Sequence, residues 1–366
     1  MSFYKLLNEY KKLNIDKVLN KVSDSDVINV LSKDSLSWED LLVLLSPVAE
    51  NHLEAMARKA RELTIKNFGK VIFLYAPMYL SNYCVNNCSY CGFSVVNKYE
   101  RKKLSLLDLE QEAEKVAMKG IRDILILTGE SRKHSPLSYI KDSVKVLKKY
   151  FHSIAIEIYP LKTSEYASLF NEGVDGLTIY QEVYDRKIYD QVHISGPKKD
   201  YKFRLEAAER ACLAGMRRVN IGALLGLGKW QSEAFYAALH ASYLQNKFLG
   251  TEFSISVPRL REHIGDYQEK AELSDRNLVQ IILAFRLFLP RVGINLSTRE
   301  SASFRDNVLP LGITKMSAES TTVVGGYSSD DGFEQFAIAD NRKVDEVKTV
   351  LLEKGYQGVF KDWHQL

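Results

Sequence analysis

Eight short apolar runs, each followed by a helix-patterned stretch, recur between residue 71 and the end of the chain. The runs are Val71–Tyr75, Asp123–Leu127, Ile154–Ile158, Gly176–Tyr180, Arg218–Leu224, Thr251–Val257, Val292–Leu296 and Ile313–Ser317. Helical spacing follows at Leu106–Lys119, Leu137–Tyr150, Ser164–Asn171, Tyr201–Ala214, Ser232–Asn246 and Asp275–Leu289. A short helical turn follows the seventh run, and Lys343–Lys354 follows the eighth. Ser105 and Asp108 make a capping-box pattern, Thr163 precedes the third helix, and Gly120, Gly215 and Pro290 mark stops. Such alternation implies a parallel sheet with helices outside it. Eight units over about 290 residues fit a closed α/β barrel of the (β/α)8 TIM type. Its chemistry belongs at the C-terminal ends of the strands.

Residues 1–70 read as a helical N-terminal extension, leaving 71–366 for the barrel and its C-terminal helix. Leu6, Leu7, Tyr10 and Leu13 share one face, as do Leu53, Met56, Ala57 and Ala60. Ser37 and Asp40 cap a helix through Leu41–Leu45. No catalytic pattern falls here, and a cap over one end of the barrel is the expected role. The net charge of +4 is small for 366 residues, and nothing in it requires nucleic acid. The run Arg101-Lys102-Lys103 reads as a solvated face. No segment reads as a transmembrane span, and the first residues lack a signal-peptide core, so a cytoplasmic location is expected.

Three of the four cysteines lie within eight residues, in Cys84-Val85-Asn86-Asn87-Cys88-Ser89-Tyr90-Cys91. Placed just past the first strand, C-x3-C-x2-C can ligate three irons of a [4Fe–4S] cluster. With no fourth cysteine near, the fourth iron stays open, which marks a catalytic centre rather than a closed structural one. A structural zinc site would need a further ligand, and no histidine lies within thirty residues of the triad on either side. Cys212, beside Ala211 and Leu213, reads as a core thiol.

C-x3-C-x-aromatic-C after the first strand of a barrel resembles the signature of radical S-adenosylmethionine (SAM) enzymes. Within them the chain is most similar to the tyrosine lyases of thiamine biosynthesis, the 2-iminoacetate synthase family. The stretches that carry the similarity include Leu45-Ser46-Pro47, Tyr79-Leu80-Ser81-Asn82, Tyr90-Cys91-Gly92-Phe93-Ser94, Thr128-Gly129-Glu130, Tyr180-Gln181-Glu182, Val257-Pro258-Arg259-Leu260-Arg261, Ser297-Thr298-Arg299-Glu300-Ser301, Gly325-Gly326-Tyr327 and Lys361-Asp362-Trp363. The resemblance implies a [4Fe–4S] cluster on Cys84, Cys88 and Cys91, and SAM on its open iron. It places Tyr90 along the adenine and Thr128-Gly129-Glu130 at the methionyl amino group. Glu157 and Tyr159 then face the cofactor, Gln181 and Glu182 the ribose, and Arg204 the SAM carboxylate. Glu157 reads equally as a core-edge charge paired with Lys or Arg. Gly222, Gly226 and Gly228 resemble a stretch beside the adenine, and they also read as a turn needing small residues.

Arg299 matches the residue that grips the amino-acid carboxylate in radical aromatic amino acid lyases, and Ser317 a second carboxylate contact. Without the resemblance, Arg299 reads as well as a salt bridge to Glu300 or Asp306. Arg259 and Arg261 read as supporting or loop residues. The implied reaction cleaves the Cα–Cβ bond of L-tyrosine through a 5′-deoxyadenosyl radical, giving 2-iminoacetate and p-cresol. A flavodoxin or ferredoxin reductant and a thiazole synthase recipient are implied as partners. A hydrogenase-maturation relative is excluded because it needs further cysteines, and none follows Cys212. A tryptophan lyase, a deazaflavin-forming relative and a non-catalytic iron–sulfur scaffold are the alternative readings.

Overall fold

Eight parallel strands close on themselves in the computed structural model, which describes residues 2–263, 267, 273–329 and 332–360. They are β1 (Val71–Ser81), β2 (Asp123–Thr128), β3 (Ser153–Glu157), β4 (Gly176–Glu182), β5 (Arg218–Ala223), β6 (Glu252–Ser256), β7 (Gly293–Leu296) and β8 (Lys315–Ser317). Each pairs with its neighbour in the chain, and β8 returns to β1 through Phe73–Lys315, Leu74–Met316 and Tyr75–Ser317. The expected TIM-type barrel is thus present, with no open sheet edge between its first and last strands. A short strand, β9 (Gln357–Val359), adds to the outer start of β1 and has no counterpart in the sequence reading. Lys361-Asp362-Trp363 lies outside the described residues.

The first strand runs six residues further than its apolar run, through Pro77 to Ser81. Proline is tolerated because its backbone faces away from the β2 ladder. The Pro77 carbonyl accepts the Tyr327 hydroxyl at 2.7 Å, so the missing N–H sits on that same side. Capping boxes form at Ser37/Asp40 and Ser105/Asp108, as their spacing predicts. The helix predicted over Tyr201–Ala214 is instead two, Tyr201–Leu205 and Ala207–Leu213. The break falls between Arg204 and Arg210, whose guanidiniums turn inward onto the carbonyls of Tyr180 (2.7 Å) and Leu161 (2.8 Å).

The N-terminal helices lie mostly along the barrel's flank rather than over one end. Phe3 stacks on His240 at 4.0 Å, and Gln280 donates to the carbonyls of Leu44 (2.9 Å) and Ser46 (2.8 Å). The end of helix Leu53–Phe68 reaches the barrel mouth opposite the thiols, where Phe68 lines a cavity with Phe73, Asp123 and Lys315. That mouth is closed by charges. Asp123 accepts from Arg218 (2.7 Å) and Lys315 (2.6 Å), and Arg218 also reaches Asp175 (3.3 Å). Removing one partner of a buried pair costs about 3–5 kcal/mol, because the other charge is left uncompensated. Arg218→Met is therefore expected to lower the thermal unfolding midpoint by several degrees, and an unchanged midpoint would rule out this cluster as a closure of the barrel.

Candidate active site

The thiol loop leaves β1 at Ser81 and is tied down from several sides. The Arg101 guanidinium donates to the carbonyls of Asn82 (2.7 Å), Phe93 (2.8 Å), Ser94 (2.6 Å) and Asn97 (3.1 Å). Of the basic run read as solvated, only Lys102 and Lys103 are exposed; Arg101 is a structural centre of the loop. At the end of β2 the Gly129 N–H donates to the Ser81 carbonyl at 2.8 Å, and Val85 N–H to the Glu130 carbonyl at 2.9 Å. A Cβ on Gly129 would fall 2.4 Å from the Tyr83 carbonyl oxygen, so only glycine permits this approach. Asn87 and Cys88 pair antiparallel with Ser195 and His193, a two-stranded ribbon too short to see in the sequence.

Cys84, Cys88 and Cys91 line one cavity of about 630 Å³ with Thr128, Gly129, Glu130, Glu157, Tyr159, Glu182 and Arg204. Burial pushes the Cys88 and Cys91 thiols up, a preference that metal ligation reverses by replacing the proton. Among the described residues no three Cys, His, Asp or Glu side chains converge on a single ion position. Ligands to three separate irons of one cluster stand farther apart than ligands to one ion. The Thr128 hydroxyl is buried with no protein partner, and two cations flank the cavity. These residues fit a three-thiolate cluster with a polar, carboxylate-bearing co-ligand.

Glu182 sits at the centre of the polar wall. Its Oε1 accepts from Lys198 (2.7 Å) and Arg204 (3.0 Å). These cations hold its carboxyl below the ordinary range, even though burial alone would raise it. Glu130 accepts from Asn86 at 2.6 Å, and the Tyr159 hydroxyl donates to the Ser135 carbonyl at 2.6 Å. Gln181 stands apart. A register shift between Tyr180 and Glu182, with Glu182 at φ 70°, turns those two residues inward and leaves Gln181 off both cavity walls. Gly222, Gly226 and Gly228 also stay off these walls. Tyr90 is buried, its hydroxyl 2.7 Å from His193 Nε2, while His193 Nδ1 meets the Tyr189 carbonyl at 2.8 Å. Burial holds His193 neutral, its pKa pushed down to about 3, so Nδ1 carries the proton and Nε2 accepts from Tyr90. Lys198 and His193 belong to no motif, and sequence reasoning missed both.

A second cavity, about 930 Å³, opens across the mouth and shares Tyr79, Cys91, Glu157, Glu182, Lys198 and Gln335 with the first. Arg299 and Ser317 line it. Neither acid proposed as an Arg299 partner serves it: Glu300 is clamped by Arg259 and by Arg261 (2.8 Å), and Asp306 by Arg342 (3.0 Å). The Arg299 guanidinium instead lies 3.3 Å from the Phe336 ring centroid and donates to the Arg259 carbonyl at 3.4 Å. Burial lowers its pKa. Ser317 Oγ accepts the Thr298 N–H at 3.0 Å. Glu157, on the shared wall, has its pKa raised to about 7 by burial and then by the charge of Glu182.

A (β/α)8 barrel carrying C-x3-C-x2-C at the end of its first strand, beside a polar cofactor cavity, defines the radical SAM class. Residues 78–237 match the radical SAM superfamily, and residues 256–357 match the biotin and thiamin synthesis associated domain. The chain is 38% identical over 361 residues to 2-iminoacetate synthase of Salmonella typhimurium, covering 97% of this chain and 96% of that protein. It is 37% identical to 2-iminoacetate synthase of Escherichia coli over the same shares. Among solved structures, the FeFe-hydrogenase maturase HydG from Carboxydothermus hydrogenoformans superposes with a TM-score of 0.86 at 32% identity, covering 98% of this chain and 83% of that one. The chain belongs to the 2-iminoacetate synthase family of radical SAM enzymes. Its cofactors are accordingly a [4Fe–4S] cluster and SAM.

Glu157 gives a test of the site's electrostatics. Its raised pKa means that between about pH 4 and 7 the folded chain holds a proton the unfolded chain has lost, so stability falls as pH rises through that window. Glu157→Gln is expected to abolish this part of the fall and to be more stable than the parent by about 1–3 kcal/mol at pH 8. Urea unfolding of both proteins across that window checks it; parallel pH profiles would contradict the assignment.

Proposed function

We propose that the chain cleaves the Cα–Cβ bond of L-tyrosine, yielding 2-iminoacetate and p-cresol for the thiazole of thiamine. One observation carries the amino-acid part of this reading: Arg299, half-buried on a cavity that adjoins the thiols, has both neighbouring acids engaged elsewhere. A planar guanidinium in that state suits a carboxylate, to which it can donate two parallel bonds. When bound, the cluster and SAM supply the 5′-deoxyadenosyl radical that takes a hydrogen from the substrate amine.

The protein's own residues do the rest. Arg299 and Ser317 hold the carboxylate and so fix the amine toward the wall shared by the two cavities. Glu157 stands on that wall and, near neutrality, can take up the ammonium proton so that the amine is reactive. Thr128, Gly129, Glu130, Tyr159, Glu182 and Arg204 position SAM, and Tyr90, braced by His193, supports the adenine. Tyr75, Tyr79 and Tyr180 line the substrate cavity and keep water from the reacting atoms. A flavodoxin or ferredoxin supplies the electron, and a thiazole synthase receives the unstable imine. A cytoplasmic location, where thiols stay reduced and free to hold a cluster, is part of this reading.

Anaerobic reconstitution with iron and sulfide, followed by SAM, dithionite and tyrosine, tests the proposal. 5′-Deoxyadenosine and p-cresol should both form. 5′-Deoxyadenosine without p-cresol would reject tyrosine as substrate, and absence of both would reject the enzyme. Cys88→Ala is expected to abolish both products and the iron–sulfur absorption. Arg299→Ala should raise the KM for tyrosine by about tenfold or more, with SAM binding retained; an unchanged tyrosine dependence would remove Arg299 from the site.

A further inference from the structure

The third thiol of the triad is met by a side chain from late in the chain. Gln335, in an irregular segment after β8, has its Nε2 3.5 Å from Cys91 Sγ, and it lines both cavities. Its Oε1 accepts from the Tyr79 hydroxyl at 2.7 Å. These two contacts fix which way the carboxamide points. A thiolate sulfur accepts hydrogen bonds and has none to give, so it must face the N–H side. The Tyr79 O–H then donates to the amide oxygen. Burial raises the pKa of that phenol and so keeps its hydrogen in place.

The segment that carries Gln335 is tied to the thiol loop and to the mouth. The Gly92 N–H donates to the Gln335 carbonyl at 3.3 Å, and a Cβ on Gly92 would fall 2.4 Å from that oxygen. Phe333 stacks on Tyr99 at 3.6 Å, with the rings 9° from parallel. The Phe336 carbonyl accepts from the Thr322 hydroxyl at 3.1 Å, and the Ala337 N–H donates to the Glu262 carbonyl at 3.0 Å. Tyr79 is held in turn by Phe93, which packs edge-on against it at 5.8 Å. Asn86 makes the contrast. Its Nδ2 stands 3.9 Å from Cys84 Sγ but 2.6 Å from a Glu130 oxygen, so the carboxylate is its main partner. Gln335 Nε2 instead has the thiol sulfur as its acceptor.

Reduction adds negative charge to a cluster, and the ligand sulfurs share that charge. A hydrogen bond to a ligand sulfur favours the more negative state and so raises the reduction potential. We propose that Gln335 sets how readily the cluster on Cys84, Cys88 and Cys91 takes up its electron, through the Nε2–H bond to Cys91 Sγ, and that Tyr79 is a positioning residue which acts by holding the carboxamide. One electron enters the cluster, and the amide keeps its hydrogen. The effect depends on the cluster and not on which amino acid is cleaved.

The test is an anaerobic redox titration of the reconstituted holoenzyme with titanium(III) citrate, the reduced cluster being read by electron paramagnetic resonance. Iron and sulfide are measured on every sample. Gln335→Leu, which keeps the bulk and removes the donor, should move the reduction equilibrium about tenfold toward the oxidised cluster, or about 59 mV for one electron. Its iron and sulfide content should match the parent. Gln335→Glu should shift the equilibrium at least as far, since an acceptor replaces the donor. Tyr79→Phe should shift it the same way by about threefold. The double variant Tyr79→Phe, Gln335→Leu should match Gln335→Leu alone, because Tyr79 acts through Gln335. A parental potential in Gln335→Leu with the cluster intact would overturn the proposal, as would shifts that simply add in the double variant. If Gln335→Leu takes up no iron, Gln335→Glu and Tyr79→Phe carry the same reading, and a parental potential in both would overturn it.

Discussion

Everything at the active end depends on the pairing of β8 with β1. The thiol loop leaves the far end of β1, whereas Arg299 and Ser317 belong to β7 and β8 and their following loops, more than two hundred residues later. Only closure puts them around one mouth, so that a cluster-bound cofactor and an amino acid share Glu157 and Cys91 as common wall. Because the register is set by main-chain bonds at Phe73–Lys315, Leu74–Met316 and Tyr75–Ser317, the distance between radical source and carboxylate anchor is a property of the ladder. A slip of one residue would turn every inward side chain outward. The charged cluster of Asp123, Arg218, Asp175 and Lys315 bridges β2, β5 and β8 at the opposite mouth and so supports the same closure.

The active mouth handles charge by two different strategies. Glu182 is fully engaged by Lys198 and Arg204, which keeps its carboxylate ionised in a buried place. Among the described residues Arg299 has no ion pair, because Glu300 and Asp306 are clamped on other arginines. A buried charge is costly when unpaired, so that arrangement holds in reserve an attraction that a ligand carboxylate can satisfy. Glu157 lies between these extremes, without an ion pair among the described residues and with its pKa raised to about 7. The gradient from satisfied to unsatisfied charge runs from the cofactor side of the mouth to the substrate side.

Much of this was legible in the chain. Apolar runs read correctly as strands because both faces of a barrel strand are covered, and capping boxes at Ser37 and Ser105 set helix starts through purely local bonds. The thiol triad was legible because metal chemistry dictates its spacing. What stayed hidden depends on contacts distant in sequence. The Asn87–Cys88 ribbon has too few residues for any periodicity, and Lys198 and His193 enter the site only because that ribbon folds over it. Nothing in the sequence separates Gln181 from its neighbour Glu182, whereas a local shift in register does. Arg299 could not be told from a salt-bridge residue until the structure showed where its acidic neighbours go.

Arg101 illustrates how unevenly a loop can be encoded. One guanidinium donates to four carbonyls spread from Asn82 to Asn97, and carbonyls are common to every residue type. The shape of the segment beyond the third thiol is thus dictated mainly from a position after it. Side chains such as Val95 and Val96 stand in solvent and contribute nothing to the loop's path. Arg101 itself has no latitude, since a lysine could offer its charge but not a planar fork that reaches several oxygens at once.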